Sequence, residues 1–135
     1  MRRGAVSALP VEVVQSLYSA FARRDPAKVF SLLAAEVEIT QSEELQWGGV
    51  YRGHDGAQQF FGKLESQINS TLEIERLIRS GDRVVAVGWT EGTVRANGAS
   101  YRVPVVHIWK VREGLIVQAQ FLIDHPTMLE ALART

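Results

Sequence analysis

The sequence predicts an α+β domain in which helices cover one face of a curved sheet. Three observations carry this. Apolar residues recur at helical spacing in the first half and alternate at strand spacing in the second. Turn signals at 80–82, 96–99 and 112–114 cut the second half into consecutive long strands, the pattern of an antiparallel meander. Strands of about a dozen residues must twist and bend to cover helices, and the bend makes a concave face.

The elements follow in order. A first helix is expected from Pro10, because proline is tolerated in a first helical turn. Val14, Leu17, Tyr18 and Phe21 supply its apolar stripe. "RRD" ends it. Asp25 then reads as an N-cap, with Pro26 opening a short second helix that carries Val29, Phe30, Leu32 and Leu33. "EVEITQ" (36–41) alternates as a half-buried strand, with Val37, Ile39 and Gln41 on one side. "WGGVYRGHDG" (47–56) carries the chain into a third helix, its glycines permitting tight turns. Asp55 is the expected cap there, and Ala57, Phe60, Phe61, Leu64 and Ile68 form the stripe. Strands are expected over 71–79, 83–95, 100–112 and 115–124, and a closing helix over 126–133. Residues 1–9 read as a frayed leader and 10–135 as one domain.

Composition limits the function classes. Fifteen Lys+Arg balance fifteen Asp+Glu, which gives no global electrostatic case for nucleic acid or an anionic membrane. The absence of cysteine removes disulfides, thiolate nucleophiles and cysteine-ligated zinc, and it fits a cytoplasmic protein. No apolar run approaches the roughly 20 residues that span a bilayer. His54, His107 and His125 are scattered, without H-x-x-x-H spacing or a paired-acid loop, so no metal is expected. No phosphate loop, dinucleotide fingerprint or G-x-S-x-G appears, and no cofactor is expected.

Hairpin turns predict the register, and the register predicts the faces. If Asn97-Gly98 is a two-residue turn, Trp89 sits opposite Val106. If Glu113-Gly114 is another, Val106 sits opposite Phe121 and His107 opposite Gln120. One face then carries Val85, Val87, Trp89, Glu91, Val106, Ile108, Ala119, Phe121 and Ile123. It is the more apolar and is expected to meet the helices. The other carries His107, Trp109, Gln118, Gln120 and Asp124 among aliphatics. A mixed face like that is rarely left bare, and the expected cover is a second subunit. A single bulge would reverse the facing beyond it.

The motifs "ARRDPAKVFSLLAAEVEI" (22–39), "GGVYRGHDGAQQFF" (48–61) and "VHIWKVREGLIVQAQFLIDHPTMLEAL" (106–132) resemble the SnoaL-like, polyketide cyclase-like branch of the nuclear transport factor 2 superfamily. Ketosteroid isomerases and limonene epoxide hydrolase belong to the same superfamily. The resemblance covers about 10–134. It implies a cone-shaped fold, with three N-terminal helices packed on the concave face of a curved, mainly antiparallel sheet. It also implies a pocket at the wide end of the cone and a homodimer through the outer face. The fold hosts many chemistries and several non-catalytic binders, so family likeness alone does not give the function.

Carrying the ketosteroid isomerase constellation over removes it. Leu17 falls where the tyrosine belongs, one residue before Tyr18; Gln41 replaces the base aspartate; Val106 replaces the protonated aspartic acid. Glutamine takes no proton at neutral pH and valine donates none. The SnoaL-like cyclases pair an aspartate near the last strand with a histidine on the preceding strand, and His107 and Asp124 match that order.

The catalytic candidates are therefore His107, Asp124 and Glu91, each with a structural alternative. His107 is an acid or base, or an interface histidine bonded to Gln120. Asp124 is a base, or an N-cap for the helix expected to start at Pro126. Glu91 is a buried carboxylate, or an exposed one at a strand end. "GHDG", with His54 and Asp55, reads as turn and capping chemistry. Tyr18, Gln41, Trp47, Tyr51, Phe60, Trp89, Val106 and Phe121 are expected to line an apolar pocket. The expectation is a domain that binds a hydrophobic small molecule. The alternative is a cofactor-independent isomerase, cyclase or lyase that works by proton transfer.

Overall fold

The computed structural model describes residues 9–134. The leader expected over 1–9 therefore lies, apart from Leu9, outside the described residues. The element order is α1 (Pro10–Ala22), α2 (Pro26–Ser31), β1 (Leu33–Gln41), β2 (Gly49–Arg52), α3 (Gly53–Gln67), β3 (Ile68–Ser80), β4 (Arg83–Val94), β5 (Ser100–Arg112), β6 (Leu115–Ile123) and α4 (His125–Ala133). The strands form one sheet in the order β2-β1-β6-β5-β4-β3. All neighbours are antiparallel except β1 and β6. This is the mainly antiparallel α+β cone expected, with α4 as a fourth helix. Among the described residues no helix is long and apolar enough to cross a membrane.

Local chemistry sets the helix ends. Glu12 accepts a hydrogen bond from the Leu9 N–H (3.1 Å) at the start of α1. That helix ends in a Schellman arrangement, with Arg24 N–H on the Phe21 carbonyl and Asp25 N–H on the Ala20 carbonyl. Arg24 holds the left-handed conformation (φ 55°) usually taken by glycine there. Asp25 caps α2 by accepting from Lys28 N–H, as predicted. Asp55 does not cap α3: the helix begins two residues earlier, at Gly53, and Asp55 lies in its first turn. Ile68 leaves the helical stripe to open β3, so helix passes into strand without a loop.

The sheet bends where β3 crosses β4. A Cβ on Gly88 would lie 2.0 Å from the Glu73 carbonyl oxygen, and one on Gly92 would lie 1.9 Å from that of Asn69. Both positions accept only glycine at this approach. β3 also carries a bulge between Ile74 and Arg76. Close approach and a bulge together curl the sheet around its helices.

Two departures from the predicted register decide which residues face inward. The β4–β5 connection is longer than a two-residue turn: Thr93 pairs with Ser100, and Trp89 with Pro104. Asn97 is drawn away to α4, where its side-chain amide donates to the carbonyls of Ala131 (3.0 Å) and Arg134 (2.6 Å). That shift is by two residues and leaves the faces unchanged. The β5–β6 turn is the predicted two-residue hairpin, with Glu113 (φ 53°) and Gly114 (φ 77°) both left-handed. Beyond it, Val111 pairs with Ile116 but Lys110 pairs with Gln118, so Val117 is an extra residue in β6. His107 therefore faces Phe121 rather than Gln120.

That bulge reverses the assignment for β4 and β5. Val84, Ala86, Thr90, Val103, Val105, His107, Trp109 and Val111 are buried toward the helices, together with Ala119 and Phe121 of β6. Val85, Val87, Trp89, Glu91, Val106 and Ile108, expected inside, lie on the outer face. The core joins this inner face to Val13, Val14, Leu17 and Ala20 of α1, Val29 of α2, and Ala57 and Phe60 of α3.

Candidate functional site

The interior of the cone gathers aromatic and polar side chains from four elements. α1 presents Tyr18, whose neighbours Leu17 and Val14 fix the helix against the sheet. β5 presents His107 and Trp109, two residues apart and hence on one face. β6 presents Phe121, directly opposite His107. β1 ends on Gln41, directly opposite Phe121 on the other side. The family alignment pointed to positions 17 and 106; the structure instead joins Tyr18 and His107, each one residue further along.

Tyr18 Oη lies 2.6 Å from His107 Nδ1 and 2.9 Å from Trp109 Nε1. An indole N–H can only donate, so the Tyr18 oxygen accepts from Trp109. The hydroxyl proton is then placed on His107 Nδ1, because the reverse arrangement would leave it buried without an acceptor. This fixes the neutral imidazole with its own proton on Nε2. Burial favours the same neutral form, pulling the His107 pKa down from 6.5 to about 4. Burial also pushes the Tyr18 phenol up, partly opposed by the Trp109 hydrogen bond, so Tyr18 stays protonated. Among the described residues, nothing partners His107 Nε2.

Aromatic rings surround this relay. His107 meets Phe121 edge-to-face at 4.8 Å between centroids, and Trp109 meets Phe121 at 5.3 Å. Phe60 of α3 leans on Phe121 from the helix side (5.5 Å), and Phe61 packs on Phe60 (5.2 Å). The loop 42–48 is anchored to the same region. Trp47, fully buried, donates from Nε1 to Gln41 Oε1 (2.8 Å). Tyr51 Oη donates to the Trp47 carbonyl (3.1 Å) and accepts from Lys63 Nζ (3.3 Å), tying the loop to α3. His54 Nε2 contacts the Leu33 carbonyl (2.9 Å), tying α3 to β1, in keeping with a structural reading of "GHDG".

The other predicted residues are elsewhere. Asp124 is exposed and caps α4, accepting from Thr127 N–H (3.3 Å) and Thr127 Oγ1 (2.8 Å). Glu91 is exposed on the outer face and pairs with Arg102 (3.3 Å). Trp89, expected on the cavity wall, stacks beneath that same guanidinium on the outer face, 4.0 Å from it. Val106 also faces outward, opposite Leu122 and Val87. The Val117 bulge is the reason Glu91, Trp89 and Val106 lie outside, whereas Asp124 takes the capping role that was its structural alternative. Tyr18, Gln41, Trp47, Tyr51, Phe60 and Phe121 do lie on the helix side of the sheet. Trp109 was not among the candidates; its spacing of two from His107 was the available signal, and the slipped register sent both outward.

Among the described residues no group of three or more histidine, cysteine, aspartate or glutamate side chains could hold a metal ion. Two open surface depressions, of about 340 and 450 Å³, lie along α1 and at the β3–β4–β5 end of the sheet. Neither is lined by His107 or Tyr18.

No match was found among curated proteins. Solved structures are similar over almost the whole chain. An NTF2-like protein of unknown function from Burkholderia pseudomallei is 29% identical, with a TM-score of 0.86 over 93% of this chain and 98% of that one. An NTF2-like protein from Burkholderia thailandensis is also 29% identical, with a TM-score of 0.88 over 94% and 99%. TerC, co-crystallized with polyporic acid, is 25% identical, with a TM-score of 0.85 over 93% and 98%. The family model for the SnoaL-like domain matches residues 14–119, from within α1 to the middle of β6. On that match the chain belongs to the SnoaL-like domain family.

Proposed function

We propose that the protein binds a hydrophobic small molecule inside the cone, against Tyr18, His107 and Phe121, with the His107 Nε2–H as polar anchor. The observation that carries this is the relay from Trp109 through Tyr18 to His107. It satisfies one imidazole nitrogen and leaves the other as an unpartnered donor in an aromatic setting, the few-polar-groups-in-apolar-walls pattern of ligand sites. TerC, a protein of similar fold, was co-crystallized with polyporic acid, which supports small-molecule binding as the reading for this chain. Phe60 and Phe61 lean into the region, so binding is expected to displace these α3 rings. The test is a titration with polyporic acid followed by tryptophan fluorescence in a Trp89→Phe background, which removes the outer-face signal. Saturable quenching or shift is expected, with a Kd about tenfold higher in His107→Ala. Equal affinity in wild type and His107→Ala would contradict the reading.

Cofactor-independent proton transfer is the second reading, favoured by the presence of an ionisable group, His107, inside the cone. The fixed tautomer makes His107 a donor toward a carbonyl or enolate oxygen rather than a base. Asp124 caps a helix and Glu91 sits outside, so neither supplies the base. The binding reading therefore ranks first. Exchange of a bound ketone's acidic C–H into heavy water, lost in His107→Ala, would reverse that order.

A homodimer through the outer face belongs to the same proposal. Val87, Val106 and Leu122 form one outward row, with Trp89 and Pro104 beside it. Leu122 is 44% exposed. Burying such a row against a second copy is its most economical cover.

A further inference from the structure

Asn97-Gly98 has the sequence of a tight hairpin, yet it makes no two-residue turn. It holds the last helix instead. β6 ends at Ile123, and α4 then runs back along β5. It starts at Pro104, whose carbonyl accepts from Asp124 N–H (3.3 Å), and ends at Ser100, whose carbonyl accepts from Arg134 Nη1 (3.0 Å). Met128 and Ala131 of α4 are buried in the core. The last carbonyls of a helix have no partner within it and carry the negative end of its dipole. Asn97 Nδ2 supplies the donor here, to the carbonyls of Ala131 (3.0 Å), Leu132 (3.3 Å) and Arg134 (2.6 Å).

Asparagine followed by glycine is also a reactive sequence. Gly98 has no side chain to hinder attack of its backbone nitrogen on the Asn97 Cγ. In that reaction an N–Cγ bond forms and closes a succinimide. The Cγ–Nδ2 bond breaks, and the Gly98 amide proton leaves with the departing ammonia. Water then adds to the imide and opens it to aspartate or isoaspartate. The fold opposes the first step at each group involved. Gly98 N–H donates to the Val94 carbonyl (2.8 Å). Asn97 Oδ1 accepts from Ala99 N–H (2.9 Å), and Nδ2 is held by α4. The attack therefore needs α4 undocked and the turn loosened. The product does not restore what was lost. A carboxylate accepts but does not donate, so it meets the α4 carbonyls with the wrong sign. Arg134, the cation at this end of α4, already serves the Ser100 carbonyl and Glu130 (3.7 Å).

We propose that Asn97 is a deamidation site gated by α4. The docked helix protects the amide, and reaction during an opening leaves the C-terminal end of α4 without its latch. The 97–98 turn is thus a one-way release for the last helix. This inference is independent of what the cone binds.

The test has two arms. In the first, the wild type is aged in mildly alkaline buffer, folded and in guanidinium chloride, and Asn97 is followed by peptide mass spectrometry. Asp124→Ala, which loosens the other end of α4, is aged alongside in its folded state. Deamidation is expected to be at least about tenfold slower in the folded wild type than in the unfolded chain, and to speed up in Asp124→Ala. Equal rates in folded and unfolded wild type, or no acceleration in Asp124→Ala, overturn the gating. In the second arm, Asn97→Asp stands in for the product and Asn97→Ala loses the donor without gaining a charge. Backbone hydrogen exchange over 125–133 is expected to rise about tenfold in Asn97→Asp and less in Asn97→Ala, with exchange in β4 and β6 unchanged. Wild-type exchange across α4 in Asn97→Asp, or a rise spread evenly over the sheet, overturns the release. If Asn97→Asp does not fold, the aged wild type, separated into intact and deamidated fractions, gives the same comparison.

Discussion

At the scale of single residues, the account turns on His107 being neutral and oriented. Its pKa in the folded protein is about 4 against 6.5 when unfolded, and the cause is burial. The unfolded chain then binds more protons than the folded one between those values. Stability contributed by the neutral imidazole is fully present above pH 6.5 and is lost as pH falls toward 4, by an amount on the order of 3 kcal/mol. Urea midpoints are expected to fall between pH 7 and 4.5 in the wild type, and to fall less in His107→Phe, which cannot titrate at that site. Parallel pH profiles for the two proteins would show that His107 is not the group held neutral. The residue types His107 and Tyr18 were both legible in the sequence as candidates. Their contact was not, since residues 89 positions apart in the chain meet only through tertiary packing.

At the scale of elements, capping explains Asp124 better than catalysis does. Asp124→Ala removes two hydrogen bonds at the start of α4 and is expected to destabilise the protein by about 1 kcal/mol. Polyporic acid affinity should be unchanged in that variant; a loss of affinity larger than the loss of stability would return Asp124 to the site. The elements were read well from the sequence wherever the signal was local. Asp25 with Pro26, the Glu113-Gly114 turn and the start of β4 at Arg83 all fall where residue chemistry puts them. What the sequence did not disclose was Val117, the extra residue in β6. A bulge is chosen by how two strands meet, and "LIVQAQF" alternates as well with it as without it. One unseen residue therefore turned His107, Trp109, Trp89 and Val106 over together. Asn97 shows the same limit: its Asn-Gly signal is a hairpin pattern, but the amide is recruited to close α4.

At the scale of the whole molecule, the inner and outer faces of the sheet differ in chemistry. The inner face carries the Trp109–Tyr18–His107 relay and the aromatic rings. The outer face carries the apolar row Val87–Val106–Leu122, with Arg102 holding Glu73, Glu91 and Trp89 at one end. Light scattering at micromolar concentration is expected to give the mass of a dimer, and Leu122→Asp that of a monomer with an unchanged fold. A monomeric wild type would overturn the outer-face reading without touching the inner one. The central claim concerns the inner face, and the ¹⁵N resonances of the His107 side chain test it most directly. At pH 7 the account predicts a neutral ring protonated on Nε2, with the Nε2 resonance moving as polyporic acid is added. A ring protonated on Nδ1 or on both nitrogens, or an Nε2 resonance that stays fixed while the ligand binds, would contradict it.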